Sequence, residues 1–274
     1  MPRKLLICST EDTASVNIRE ALLASGKWED DGTALYHNDM VMLSIPEIHI
    51  RAENIDDDAK KIGIYADEMI FLSRHKSVSR TPTLTVHPIG NFHNADLGGR
   101  PRTLVKASPA TMTGMLRSLM SMDTEHYQVS FEVTHHGPWV NIPATFIEIG
   151  SDGTQWGNRG AARMLADAIL GYDRKDCVTA IGIGGGHYAP RFTEVAASHE
   201  INFGHMIPEY AFKDSDDDDL VRLLTASAEN SGTRSVYIHK KSMKSEMLRR
   251  VRDAVGSCGL EIISSSSLNS ITGS

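Results

Sequence analysis

Cysteine is scarce in this chain. Cys8, Cys177 and Cys258 are the whole set, odd in number and far apart, which excludes a disulfide framework and points to a reducing compartment. No apolar run reaches the length that spans a bilayer. The opening MPRKLLICSTED has Leu5 to Cys8 as its apolar run and lacks a signal-peptide core, so the expectation is a cytoplasmic protein with no membrane partner. Positive charge is also in deficit. A net charge of −7 at pH 7 disfavours indiscriminate binding of polyanions, although the distribution is uneven. Glu209 to Asn230 is acidic, whereas Arg234 to Arg252 sets seven Lys and Arg against Glu246.

Several catalytic motifs are missing as well. Without Gly-x-Ser-x-Gly there is no nucleophile elbow, and Cys8 and Cys177 lie in apolar strand contexts where thiols are inert. Neither HExxH nor paired Cys-x-x-Cys occurs. A weak covalent alternative remains in Ser73 or Ser77 beside His75 and Lys76.

What is present is alternation of strand and helix. Lys4 to Cys8 reads as a strand, followed by a turn at Ser9 to Asp12 and a helix with Ala14, Ile18, Ala21 and Leu22 on one face. Ala34 to Ile45, broken by His37-Asn38-Asp39, reads as a hairpin, and Asn54 to Asp58 as exposed and acidic. Met69 to Leu72, Thr83 to Val86, Tyr127 to Thr134, Thr145 to Ile149, Ile201 to Ile207 and Val236 to Ile238 read as further strands, with Leu260 to Ile263 closing the sheet. Helices are predicted over Arg159 to Leu170, Thr193 to His199, Leu220 to Ala226 and Ser242 to Val255. Another starts at Ser108-Pro109, with Ser108 as N-cap and Met112, Met115, Leu116, Leu119 and Met120 as a core stripe. The Ser-rich end, Ser264 to Ser274, is expected to fray. This is an α/β pattern. The length of 274 residues suits one elaborate domain, or a large one with a smaller attachment.

The stretch VTAIGIGGGHYAPRF, Val178 to Phe192, runs a strand into Gly182, Gly184, Gly185 and Gly186 and presents His187 and Tyr188 at the strand's exit. A phosphate loop needs Gly-Lys-Ser/Thr there; His-Tyr-Ala-Pro follows instead. Five further histidines, His75, His87, His135, His136 and His205, also fall at or beyond predicted strand ends. Gathered on one rim of a parallel sheet, with a carboxylate such as Glu148 or Glu194, they form a zinc environment in which a bound water has a pKa of about 7 and attacks a carbonyl. The competing reading has imidazoles capping strand ends without a metal.

The runs FLSRHKS (Phe71 to Ser77), TPTLTVHPIGN (Thr81 to Asn91), EVTHHGP (Glu132 to Pro138), FIEIGS (Phe146 to Ser151), GIGGGHYAPRFTE (Gly182 to Glu194) and FGHMIPEYA (Phe203 to Ala211) resemble the archaeal and plant type of D-aminoacyl-tRNA deacylase. The likeness spans nearly the whole chain. It implies hydrolysis of the ester joining a D-amino acid to tRNA, zinc dependence, and a three-layer α/β/α fold with a mixed, largely parallel sheet like that of phosphorylases and peptidyl-tRNA hydrolases. A single domain over 1–274 is expected, with a smaller subdomain from insertions around 74–145, and a monomer.

Taken with the residue reading, His135, His136, Glu148, His187 and His205 become expected metal ligands. His75, Lys76, His136, His187 and Glu194 become expected catalytic groups, His75 and Lys76 holding the terminal ribose or phosphate. Gly184, Gly185 and Gly186 are expected oxyanion donors, with Tyr188 and Asn91 at the substrate. The tRNA is expected on Arg74, Arg80, Arg100, Arg102, Lys240, Lys241, Lys244, Arg249 and Arg250. Two competitors stand beside this reading: a nucleoside phosphorylase or related hydrolase holding phosphate in the glycine loop, and a non-catalytic tRNA-binding protein.

Overall fold

The computed structural model describes residues 3–124, 126–213 and 215–271. Its first strand, β1 (Lys4–Ser9), is buried along its whole length, as a central parallel strand must be. Asp12 then starts helix α1 (Thr13–Ser25), its carboxylate accepting the Ala14 and Ser15 N–H groups at 2.9 and 3.1 Å. The remaining strands are β2 (Glu29–Asp30), β3 (Leu35–His37), β4 (Met40–Ile45), β5 (Glu68–Lys76), β6 (Thr83–Pro88), β7 (Gly90–Asn91), β8 (Thr103–Leu104), β9 (Gln128–Phe131), β10 (Ala144–Ser151), β11 (Val178–Ile183), β12 (Ile201–Ile207), β13 (Ser235–Ile238) and β14 (Glu261–Ile263). The remaining helices are α2 (Ile55–Lys61), α3 (Pro109–Met120), α4 (Gly153–Trp156), α5 (Arg159–Gly171), α6 (Pro190–Ser198), α7 (Asp217–Ser231) and α8 (Ser245–Ser257).

Two main sheets form instead of the single one expected. The larger has the order β2-β3-β4-β1-β5-β10-β6-β9 and mixes parallel with antiparallel pairs; the smaller, β12-β11-β13-β14, is parallel throughout. β14 therefore closes the second sheet, not the first. On the large sheet Leu6, Ile70, Leu72, Leu84, Val86, Ile147 and Ile149 lie under α1, α3 and α5. The opposite face sets Ile7, Phe71 and Phe146 against Ala52, Ile55 and Ala59 of the α2 region. The small sheet packs Ile181, Ile183, Val236 and Ile238 on α7 and α8, while Phe203 and Met206 join the first core beside α3 and α6. The α/β class with helices flanking a mixed, largely parallel sheet is thus what the chain builds.

Local departures have local causes. Asn54 to Asp58 is not an exposed loop, because Asp56 is 2% exposed and accepts the Asn141 N–H at 3.3 Å. The buried Ser108 hydroxyl makes no capping bond, and Met120, 41% exposed, has rotated off the α3 stripe. Up to residue 271 the Ser-rich end is folded: Ser265 to Ser267 form a 3-10 turn with a capping box, the Ser265 hydroxyl lies 2.7 Å from that of Tyr237, and Ser270 bridges to His199. Its last three residues lie outside the described ones.

Candidate active site

Strand alternation puts the site on a face. β10 pairs Gly150 with His75 of β5 and Phe146 with His87 of β6, so Glu148, two residues from each, projects to the same side as both imidazoles. His75 and His87 lie inside their strands, not in turns beyond them. Glu132, one residue past β9, has the alternation opposite to the core residues Phe131 and Val133 and so turns to this side too. The glycine loop after β11, from the second sheet, supplies His187 and Tyr188, and Tyr188 bridges to Glu132. The imidazoles therefore meet over one face of the large sheet under a loop of the small one, rather than along a single rim.

Glu132 is the hub, with no exposed surface. Its Oε2 lies 2.9 Å from His187 Nε2, 3.2 Å from His75 Nδ1 and 3.5 Å from His135 Nε2. Glu148 Oε2 lies 3.5 Å from His87 Nε2 and 3.8 Å from His75 Nδ1. His75 thus stands between two carboxylates, and its other nitrogen lies 3.0 Å from the Tyr188 hydroxyl. Three rings are fixed from behind: Nδ1 of His87, His135 and His136 lies 3.0, 2.8 and 2.6 Å from the carbonyls of Pro88, Val133 and Gly137. A carbonyl can only accept, so each Nδ1 carries the proton and each Nε2 is presented inward.

The electrostatics divide these groups. Burial, the largest influence, drives His135 well below the ordinary imidazole range and His136 down to about 4, so both are neutral at pH 7. Burial opposes protonation of His75 and His87 too. The adjacent carboxylates outweigh it, Glu132 chiefly for His75 and Glu148 for His87, and both pKa values are raised. Burial likewise pushes the two carboxylates up, but contacts with His187 and His75 carry Glu132 well below its usual range, and His87 lowers Glu148.

This donor set fits a metal ion. His87, His135 and His136 bring ligand nitrogens within 4.8 Å of one another; so do the ligand atoms of His75, Glu132 and His187, and those of His87, Glu132 and Glu148. The buried His87 Nε2, His187 Nε2 and both Glu132 oxygens close no well-directed hydrogen bond. Close contacts without hydrogen-bond geometry, on rings locked from behind by carbonyls, are what gathered ligands show.

Not every expected residue is here. His205 is buried in β12 with both nitrogens spent, Nδ1 at 3.0 Å from the Thr134 hydroxyl and Nε2 at 2.8 Å from the Val105 carbonyl, so it is a strut and not a ligand. Glu194 is an exposed residue of α6 paired with Arg191 at 2.9 Å. Lys76 is exposed at the end of β5. Two expected oxyanion donors are committed elsewhere, Gly184 N–H to the Ile207 carbonyl at 2.8 Å and Gly185 N–H to the Ser242 hydroxyl at 2.9 Å. Gly186 borders open space. Asn91 ties down a loop by donating to the Gly98 and Arg100 carbonyls. Ser73 is buried against Asp12.

Several of the basic residues expected at the tRNA have local partners. Arg74 lies over Trp156 near Asp12, Arg100 over Trp139, and Arg102 beside Asp219. Arg80 occupies a left-handed turn. Arg249 pairs with Asp253 and Arg250 with Asp217. Lys240 and Lys241 line a cleft of about 710 Å³ with Arg191, and Lys244 lines another of about 690 Å³. Glu132 escaped the sequence reading, which counts His87 among the rim histidines but not among the expected ligands. The signal for Glu132 was there, since it sits between Phe131 and Val133 as Glu148 sits between Ile147 and Ile149.

Comparisons with known proteins agree over nearly the whole length. A family model of D-aminoacyl-tRNA deacylase matches residues 62–263. The chain is similar to the D-aminoacyl-tRNA deacylase of Methanosarcina acetivorans, 34% identical over 96% of this chain and 92% of that protein, and to that of Archaeoglobus fulgidus, 35% identical over 96% of each. With the Methanoculleus marisnigri protein it shares 36% identity over 99% of its own length. It spans 60% of that relative and 58% of the one from Methanococcoides burtonii. The crystal structure of a conserved protein of unknown function superposes with a TM-score of 0.87 over 98% of both chains at 33% identity.

Proposed function

The chain belongs to the D-aminoacyl-tRNA deacylase family, and we propose on that footing that it hydrolyses the ester between a D-amino acid and tRNA, with zinc held by its histidine cluster. The observation that carries the reading is the gathering of five imidazoles, His75 and His87 of them buried, around the buried Glu132 and Glu148. An aminoacyl ester is already activated, so one positioned water suffices without a covalent intermediate.

Zinc is the cation suited to these nitrogen and oxygen donors, and it supplies a Lewis acid that makes water a competent nucleophile near neutral pH. His87, His135 and His136 would hold it, or Glu132 with His75 and His187. The neutral His135 and His136 can do so without releasing a proton. Glu132 orients His187 and His75 from beneath. His187, its side chain 38% exposed, is the cluster member open to an incoming ester. Departure of the ribose oxygen needs a proton, and the Tyr188 hydroxyl beside His75 holds one, backed by the Glu132 charge at the far ring nitrogen.

The test is to incubate D-tyrosyl-tRNA and L-tyrosyl-tRNA with the protein before and after chelation and to measure the ester remaining. Selective, chelator-sensitive loss of the D ester is expected, and His187→Ala should cut turnover at least a hundredfold with the protein still folded. Equal loss of both esters, or none, overturns the reading.

A further inference from the structure

The cleft of about 690 Å³ lined by Gly185, Gly186, Tyr210 and Met247 lies next to the cluster and is not used by it. Its wall includes Gly186, and the following residue, His187, touches Glu132 at 2.9 Å. Its other side is the 3-10 turn Glu209–Phe212, fastened to the glycine loop by the Glu209 N–H donating to the Gly185 carbonyl at 2.9 Å. Tyr210 on that turn is 56% exposed, one of few large side chains so placed. Its phenol is held above the ordinary range, first by desolvation and then by the Glu132 charge, which agrees with its nearness to the carboxylates.

The lining is chemically mixed. Glu209 and Glu246 stand beside Lys213, Lys244 and Arg250. Such a lining suits a nucleotide: its base stacks on an aromatic face, its ribose hydroxyls donate to carboxylates, and its phosphate meets ammonium groups. The volume is that of an ordinary small-molecule site. The cleft begins one residue along the chain from His187, within reach of one of the two groups that the ester joins.

We propose that this cleft binds the 3′-terminal adenosine of the charged tRNA, its base stacked on Tyr210 against Met247. The assignment rests on the deacylase reading above. It is new in naming the residues that hold the nucleoside side of the ester, opposite the amino acid.

The experiment pairs kinetics with direct binding. Tyr210→Ala should raise KM for D-tyrosyl-tRNA on the order of tenfold while kcat changes far less, and Tyr210→Phe should restore KM because it keeps the ring. Adenosine monophosphate should bind the wild type in equilibrium dialysis and bind Tyr210→Ala at least tenfold more weakly. That measurement needs no turnover, so it judges the cleft even if the wild type proves inactive on charged tRNA, an outcome that would sink the deacylase reading alone. Equal affinity of wild type and Tyr210→Ala for the nucleotide overturns the assignment. So does a variant whose preference among D-amino acids changes while nucleotide binding does not, since the cleft then belongs to the side chain.

Discussion

A buried carboxylate that faces three imidazoles and closes no directed hydrogen bond is a costly group to keep without a purpose. Glu132 is such a group. Glu132→Gln keeps the shape and removes the charge, and zinc affinity measured by chelator competition should fall by about 10- to 100-fold. His205→Asn is the contrasting variant. It should leave zinc affinity unchanged and cost about 1–3 kcal/mol of stability in urea unfolding, because the Val105 carbonyl loses its donor inside the core. Equal zinc loss in both would return His205 to the ligand set. The sequence showed which residue types gather but could not rank them. Whether a strand-borne histidine is ligand or strut depends on what stands opposite its second nitrogen, and for His205 that is Val105, 100 residues away. Glu132 was legible in principle, from the alternation that revealed Glu148.

Helices and strands were legible because their causes are local. The period of α3 is in its sequence, and burial of Met112, Met115, Leu116 and Leu119 follows from it. The element tests itself at its margin: Leu116→Ala should destabilise by about 2–5 kcal/mol, whereas Met120→Ala should stay within about 0.5 kcal/mol, both by chemical unfolding. Division into two sheets was not legible, since no local signal tells β11 to pair with β12 and β13 and to leave β10 alone. Charge on α8 shows the same limit. Its basic composition does not reveal that Arg249 and Arg250 are engaged by Asp253 and Asp217, nor that Lys240 and Lys241 sit ahead of the helix beside a cleft. The double variant Lys240→Gln/Lys241→Gln should reduce the slope of log affinity for tRNA against log salt by roughly 1.5, as two lost phosphate contacts would. Arg249→Gln should barely move it.

At the scale of the molecule, the site leaves its mark on stability against pH. Desolvation draws His49, His136 and His205 down to about 4 and holds His135 well below the ordinary imidazole range, so all four are neutral in the folded chain near pH 7. In the unfolded chain they titrate near 6.5. Between those values the unfolded state binds more protons, so stability falls as pH drops below about 6.5. Each such residue contributes about 1.4 kcal/mol per pH unit in that window. His75 and His87 act oppositely. Their raised values mean that the stabilisation they give is complete below the unfolded pKa and is lost as pH rises through the folded one, so they do not flatten the acid slope. His205 lies outside the ligand cluster and isolates one contribution. In chelator-treated protein, urea unfolding at pH 7 and pH 5 should show wild type losing more stability than His205→Asn, by about 2 kcal/mol, because the variant has no proton to take up there. A gap between the two proteins that stays constant or widens on acidification would mean that His205 is charged in the fold. The strut between Thr134 and Val105 would then have to be redrawn around an imidazolium donating from both nitrogens.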